Sequence, residues 1–143
     1  MSAVMCVLVA TDDSEPARRA AQHVVDLAAR GMSLDVHVLN VQPAVRGVAA
    51  SLVSHSDLEG YHRDEGMKVL AGTLRLLEAG GVKPHAHVSV GDPAETIIAF
   101  AQRLKCDHIV IGSRGRGSVA GLLLGSVARQ VGGGATVPVT LVR

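Results

Sequence analysis

Short apolar runs alternate with helix-patterned segments along this chain, and that alternation leaves few folds open. Residues 5–10, 34–41, 82–90, 108–111 and 137–142 read as strands. Most are Val-rich and several are apolar throughout, as strands buried on both faces are. Between them lie helical patterns. The first follows Asp13, Ser14, Glu15 and Pro16, with Asp13 or Ser14 as cap and Pro16 in the first turn. Ala17, Ala20, Ala21, Val24, Val25 and Ala28 form its apolar stripe, and Gly31 stops it. A longer helix spans 57–79, ended by Gly80 and Gly81. Another opens at Gly91-Asp92-Pro93, and the last starts at Ser126 and spans 126–131. Residues 42–56 are the least regular stretch. The pattern predicts one α/β domain over residues 1–143, an open parallel sheet with helices on both faces. In such sheets, ligands bind beyond the carboxyl ends of the strands, where strand order reverses. The loops at that edge are 11–14, 41–43, 91–93 and 112–125.

Composition narrows the setting. Only Tyr61 and Phe100 are aromatic, so the core is built from Val, Leu, Ile and Ala. Cys6 and Cys106 make no disulfide framework, and the first residues carry no basic leader pattern, so the expected compartment is the cytoplasm. No apolar run is long enough for membrane insertion as a helix. The net charge of +1 hides an asymmetry: residues 1–107 sum to −3, while 108–143 carry Arg114, Arg116, Arg129 and Arg143 and no acid. A local cationic end on a nearly neutral chain suits a small anion and argues against nucleic acid.

Half of the 16 glycines fall between 112 and 134. Gly112, Ser113, Arg114, Gly115, Arg116, Gly117 and Ser118 follow a strand, and Gly125, Ser126 and Val127 open a helix. Glycine-rich backbone allows N–H groups to point at an anion, and a helix N-terminus adds more donors. A P-loop would need a lysine, which this loop lacks. A dinucleotide fingerprint would need an acid in the next strand, and none follows Asp107.

The spacing Gly112-x2-Gly115-x9-Gly125-Ser126 resembles the signature of the ATP-binding branch of the universal stress protein family. Further similarity lies in Val7 to Glu15, in Gly91-Asp92-Pro93-Ala94, in Asp107 to Gly115 and in Pro138 to Val142. The resemblance implies an adenine nucleotide alpha hydrolase-like fold, with five parallel strands in order 3-2-1-4-5. It implies that Ala10, Thr11 and Asp12 meet adenine and ribose, that Val41 contacts adenine, and that Gly112, Gly115, Gly125, Ser126 and Val127 bind phosphates. It implies ATP, or AMP or cyclic AMP, with Mg²⁺ or Mn²⁺ held through phosphates. It also implies a homodimer through the Val139–Val142 edge strand. The function expected is a stress-response sensor or regulatory switch read by a protein partner. Slow ATP hydrolysis and a nucleotide-free interaction module are the alternatives, and the intact glycine signature argues against the latter.

No catalytic base is evident. Neither Ser113 nor Ser126 lies in a Gly-x-Ser-x-Gly elbow, so binding is expected rather than turnover. His85 and His87 share a strand face, but two ligands without a nearby companion do not make a zinc site. Cys6 and Cys106 read as small buried hydrophobes. Gly132, Gly133 and Gly134 are expected to leave the last helix short or frayed.

Overall fold

The computed structural model describes residues 3–116 and 124–143. Its elements are β1 (Met5–Ala10), α1 (Glu15–Ala29), β2 (Leu34–Gln42), α2 (Val48–Ser51), α3 (His55–Ala79), β3 (His85–Val90), α4 (Pro93–Arg103), β4 (His108–Gly112), α5 (Ser126–Gly134) and β5 (Val139–Val142). The strands form one parallel sheet in the order β3-β2-β1-β4-β5. The alternation of patterns thus yields the open sheet expected from it.

Period-two alternation splits each strand between two cores. Val7, Val9, Val36, Val38 and Val110 face Ala20, Ala21 and Val24 of α1 and Leu70 and Leu77 of α3. Leu8, Leu39, Ile109 and Ile111 face Ala94, Ile97, Phe100 and Ala101 of α4 and Val131 of α5. Fully burying one such aliphatic side chain contributes roughly 1.5–3 kcal/mol. Cys106 belongs to the second core, and burial, followed by the adjacent Cys6 thiol, pushes its thiol up to about 12. It packs there as a small apolar group.

Helix starts follow their caps. Ser14 Oγ accepts from Ala17 N at 3.3 Å, and Asp92 Oδ2 accepts from Glu95 N at 3.1 Å. Ser54 Oγ caps α3 through Asp57 N at 3.2 Å, which starts the helix at His55, earlier than the pattern suggests. At the other end of α3, Val82 N donates to Leu77 O at 2.9 Å. Val82 therefore finishes the helix terminus, and β3 begins only at His85. Pro138 has no N–H to give a ladder, so β5 starts at Val139 rather than 137.

The expectation of a short last helix is corrected. α5 runs through all three glycines to Gly134, and Ala135 N still donates to Val131 O at 2.9 Å. Val131 and Ala128 are buried on its inner face, and that packing holds a segment whose intrinsic propensity is poor. A Cβ at Gly132 or Gly133 would meet nothing within 4 Å, whereas one at Gly134 would lie 2.9 Å from Ile98 Cδ1. Gly132→Ala and Gly133→Ala are therefore expected to stabilise the protein by roughly 0.5–1 kcal/mol each. Gly134→Ala is expected to give less or nothing. Urea midpoints of the three variants check the ranking.

Candidate functional site at the carboxyl edge of the sheet

The chain runs outward from β1 through β2 to β3, then crosses back to place β4 on β1's other side. The loops after β1 and β4 diverge there, and a cleft of about 620 Å³ opens between them. That volume falls among small-molecule sites.

Ala10, Thr11 and Asp12 leave β1 at the centre of the cleft. Thr11 is buried, its hydroxyl 3.1 Å from Thr73 Oγ1 of α3 and accepting from Asp13 N at 3.1 Å. Its carbonyl accepts from Asn40 Nδ2 at 2.9 Å. Asp12 spans two segments. Its Oδ1 accepts from Ser14 N at 3.0 Å, and its Oδ2 accepts from Arg116 N at 2.7 Å. The glycine loop is thus held against the β1–α1 turn by one carboxylate. Gly115 sits so close to that carboxylate that any Cβ there would collide with Asp12 Oδ2. Asp13 takes a left-handed φ of 63°, a conformation Asp tolerates better than most residues. Its carboxylate pairs with Arg18 at 3.0 Å and Arg116 at 3.7 Å.

On the β4 side, Gly112, Arg114, Gly115 and Arg116 line the cleft, joined by Gly125, Ser126 and Val127 at the start of α5. Gly125 is the N-cap residue and gives no side-chain cap, so the first N–H groups of α5 open toward the cleft rim without one. Ser113 is placed differently from these residues. It is buried and lies outside the cleft lining. Its N donates to Val142 O at 2.6 Å and its O accepts from Gly125 N at 2.7 Å, so it ties β4, β5 and α5 together. Its Oγ has no partner among the described residues. Gly117 and Ser118 lie outside the described residues.

On the β2 side the wall is apolar. Val41 takes its expected place, with Leu39, Pro43, Pro93 and Ile97 beside it. Sequence reasoning missed Asn40 and Arg129. Asn40 is a buried amide at the inner end of β2, and its Nδ2 is spent on the Thr11 carbonyl beside the cleft. Arg129 stands one turn after Ser126, a spacing that puts both on one helix face. Its charge joins those of Arg114 and Arg116, and Asp12 is the one acid among the described lining residues.

Strand order, cleft position and glycine loop together define a doubly wound α/β domain with a small-ligand cleft at its switch point. Residues 5–143 match the universal stress protein family, and the chain belongs to it. A universal stress protein of Methanocaldococcus jannaschii is 32% identical over 139 residues, covering 96% of this chain and 81% of the relative. The solved structure of protein MJ0577 is 28% identical, superposes with a TM-score of 0.82, and covers 96% of this chain and 94% of its own. A universal stress protein solved in complex with cAMP is 24% identical with a TM-score of 0.73, covering 97% of each chain; at that identity the likeness is one of fold.

Gly112 is pressed against backbone at the start of α1. A Cβ there would lie 2.8 Å from Pro16 C and 2.9 Å from Ala17 N, both backbone atoms at the start of α1. Neither can move without shifting the helix. Gly112→Ala is expected to cost roughly 1–3 kcal/mol by overpacking. A urea midpoint equal to that of the unchanged protein would refute this reading.

Proposed function

We propose that this chain binds an adenine nucleotide, ATP in the first instance, and acts as a ligand-dependent sensor or regulatory switch read by a partner protein. The observation that carries the proposal is the polarity of this cleft. An aliphatic wall of Leu39, Val41, Pro43 and Ile97 stands at β2 and α4, opposite a glycine loop, three arginines and a helix N-terminus at β4 and α5. A flat base suits the first, and an anionic phosphate chain suits the second. Asp12, in the turn after β1 between them, falls where a ribose would join base to phosphates. Two backbone donors occupy one site on each of its oxygens, and a carboxylate has about four acceptor sites, so ribose hydroxyls can still bond to it.

Because Asp12 is already engaged, a Mg²⁺ or Mn²⁺ ion would be held mainly through the phosphates. The described lining has no histidine and no second carboxylate to activate a water, which favours a binding role over turnover. A second reading, AMP or cyclic AMP in the same pocket, draws on the relative of this fold solved with cAMP. No described helix is long and apolar enough to cross a membrane.

Calorimetry with ATP, AMP and cyclic AMP tests the reading. ATP is expected to bind most tightly, and Gly115→Val, folded by circular dichroism, is expected to lose it. Absence of binding by all three nucleotides would sink the proposal, and preference for cyclic AMP would replace it with the second reading. Asp12→Ala is expected to weaken ATP by ~1.5–3 kcal/mol, the worth of a hydrogen bond to a charged group, and free triphosphate by less. Equal losses would place Asp12 on the loop alone.

We also propose a two-fold dimer through β5. This strand lies at the sheet edge, bonded to β4 on one side only, with Leu141 exposed. An apolar edge of this kind invites pairing with another chain. Sedimentation at micromolar concentration is expected to give a dimer, and Leu141→Pro in a folded protein is expected to give a monomer. A monomeric parent, or a dimer that survives the substitution, would refute the interface.

A further inference from the structure

At the opposite edge of the sheet, register gathers groups that are far apart in sequence. Cys6 pairs with Asp35, and His37 pairs with His85, so all four point from one face. The ligand atoms of Cys6, Asp35 and His37 lie within 4.8 Å of one another, in half-buried positions. His37 Nε2 is 3.3 Å from Asp35 Oδ2, and His85 Nε2 is 3.2 Å from Asp35 Oδ1. The other nitrogen of His37, Nδ1, is 2.9 Å from His87 Nε2. Around His85 and His87 the linear sequence offers no companion ligand; the neighbouring strands supply it.

We propose that this amino edge is a binding site for a zinc-class divalent cation, held by Cys6 Sγ, Asp35 Oδ2 and His37 Nε2, with His85 as fourth ligand. Sulfur, oxygen and imidazole nitrogen are the donor types that Zn²⁺ takes in tetrahedral sites. Ligands about 2.0–2.1 Å from such an ion stand roughly 3.3 Å apart, and about 3.5 Å when one is sulfur. The Asp35–His37 separation already meets that spacing, the Cys6 sulfur needs to close by little more than one ångström, and His85 Nε2, 3.2 Å from the other oxygen of Asp35, has to swing onto the ion from its exposed position. His87 holds the far nitrogen of His37 and stacks against its ring at 5.1 Å between centroids, the kind of support that orients a metal-ligating histidine. Phe100 packs edge-on against His87 at 5.3 Å and closes the inner side. Access comes from outside, where the His85 side chain is 61% exposed.

A hydrogen-bonded His–Asp cluster without metal is the rival account, and Co²⁺ separates the two. Titrated into the reduced full-length chain, Co²⁺ is expected to give the intense visible bands of a tetrahedral ion and a thiolate-to-metal charge-transfer band, saturating at one ion per chain. Cys6→Ser is expected to abolish the charge-transfer band. His37→Ala is expected to weaken Co²⁺ by at least about 100-fold, and His87→Gln, acting through His37, by roughly 10-fold. His85→Ala, at an exposed position where folding is safe, is expected to weaken Co²⁺ and shift the visible bands. Zn²⁺ should displace Co²⁺ in each case. No tetrahedral spectrum, or a spectrum and affinity unchanged by Cys6→Ser and His37→Ala, overturns the site. An unchanged His85→Ala overturns the fourth-ligand assignment. ATP affinity should be unaffected by His85→Ala, since the cleft lies at the other end of the strands.

Discussion

Everything in this domain hangs on β1. It is bonded on both sides, by β2 and by β4, and Val7, Leu8 and Val9 are essentially inaccessible to water. A strand in that position must be apolar on both faces, and each face must carry a helix layer to cover it. The reversal of strand order beside β1 then forces the following loops apart. The cleft is thus a consequence of the topology before any side chain is considered.

What the side chains add is closure. Asp12 ties the turn after β1 to the glycine loop after β4, and Ser113 ties that loop's start to β5 and α5. Gly112 and Gly115 are pressed against backbone and carboxylate respectively, so their lack of a side chain serves the packing of the protein itself as well as ligand approach. A residue type that signals a phosphate loop can therefore be demanded by the fold at the same time. Asp12 shows the same overlap, since it organises the loop and stands at the middle of the cleft.

The two edges of the sheet differ in chemistry for a related reason. At the carboxyl edge, helices begin, and their N-termini favour anions. At the amino edge the strand starts are partly exposed, and polar side chains are tolerated there on a face that is apolar further along. Asp35 and His37 precede the buried Leu39 on the same face of β2. One sheet thus offers an anion-favouring end and an end rich in metal-type donors, separated by the hydrophobic length of the strands.

Apart from the one-turn α2, which buries no residue and leaves no stripe, element order was legible in the sequence because burial on two faces leaves continuous apolar runs, and helices leave stripes and caps. The membership of the cleft was legible for Ala10, Asp12, Val41, Gly115, Gly125 and Ser126, because strand ends and glycine spacing are local properties. The persistence of α5 through Gly132, Gly133 and Gly134 was not, since local propensity says nothing of the core into which Val131 packs. Nor was the withdrawal of Ser113 from the cleft, which depends on a bond to Val142 in another strand. The gathering of Cys6, Asp35, His37 and His85 was hidden for the same reason. Sequence determines which residues share a face of their own strand; only the register between strands, set by the packing of whole layers, decides which of them meet.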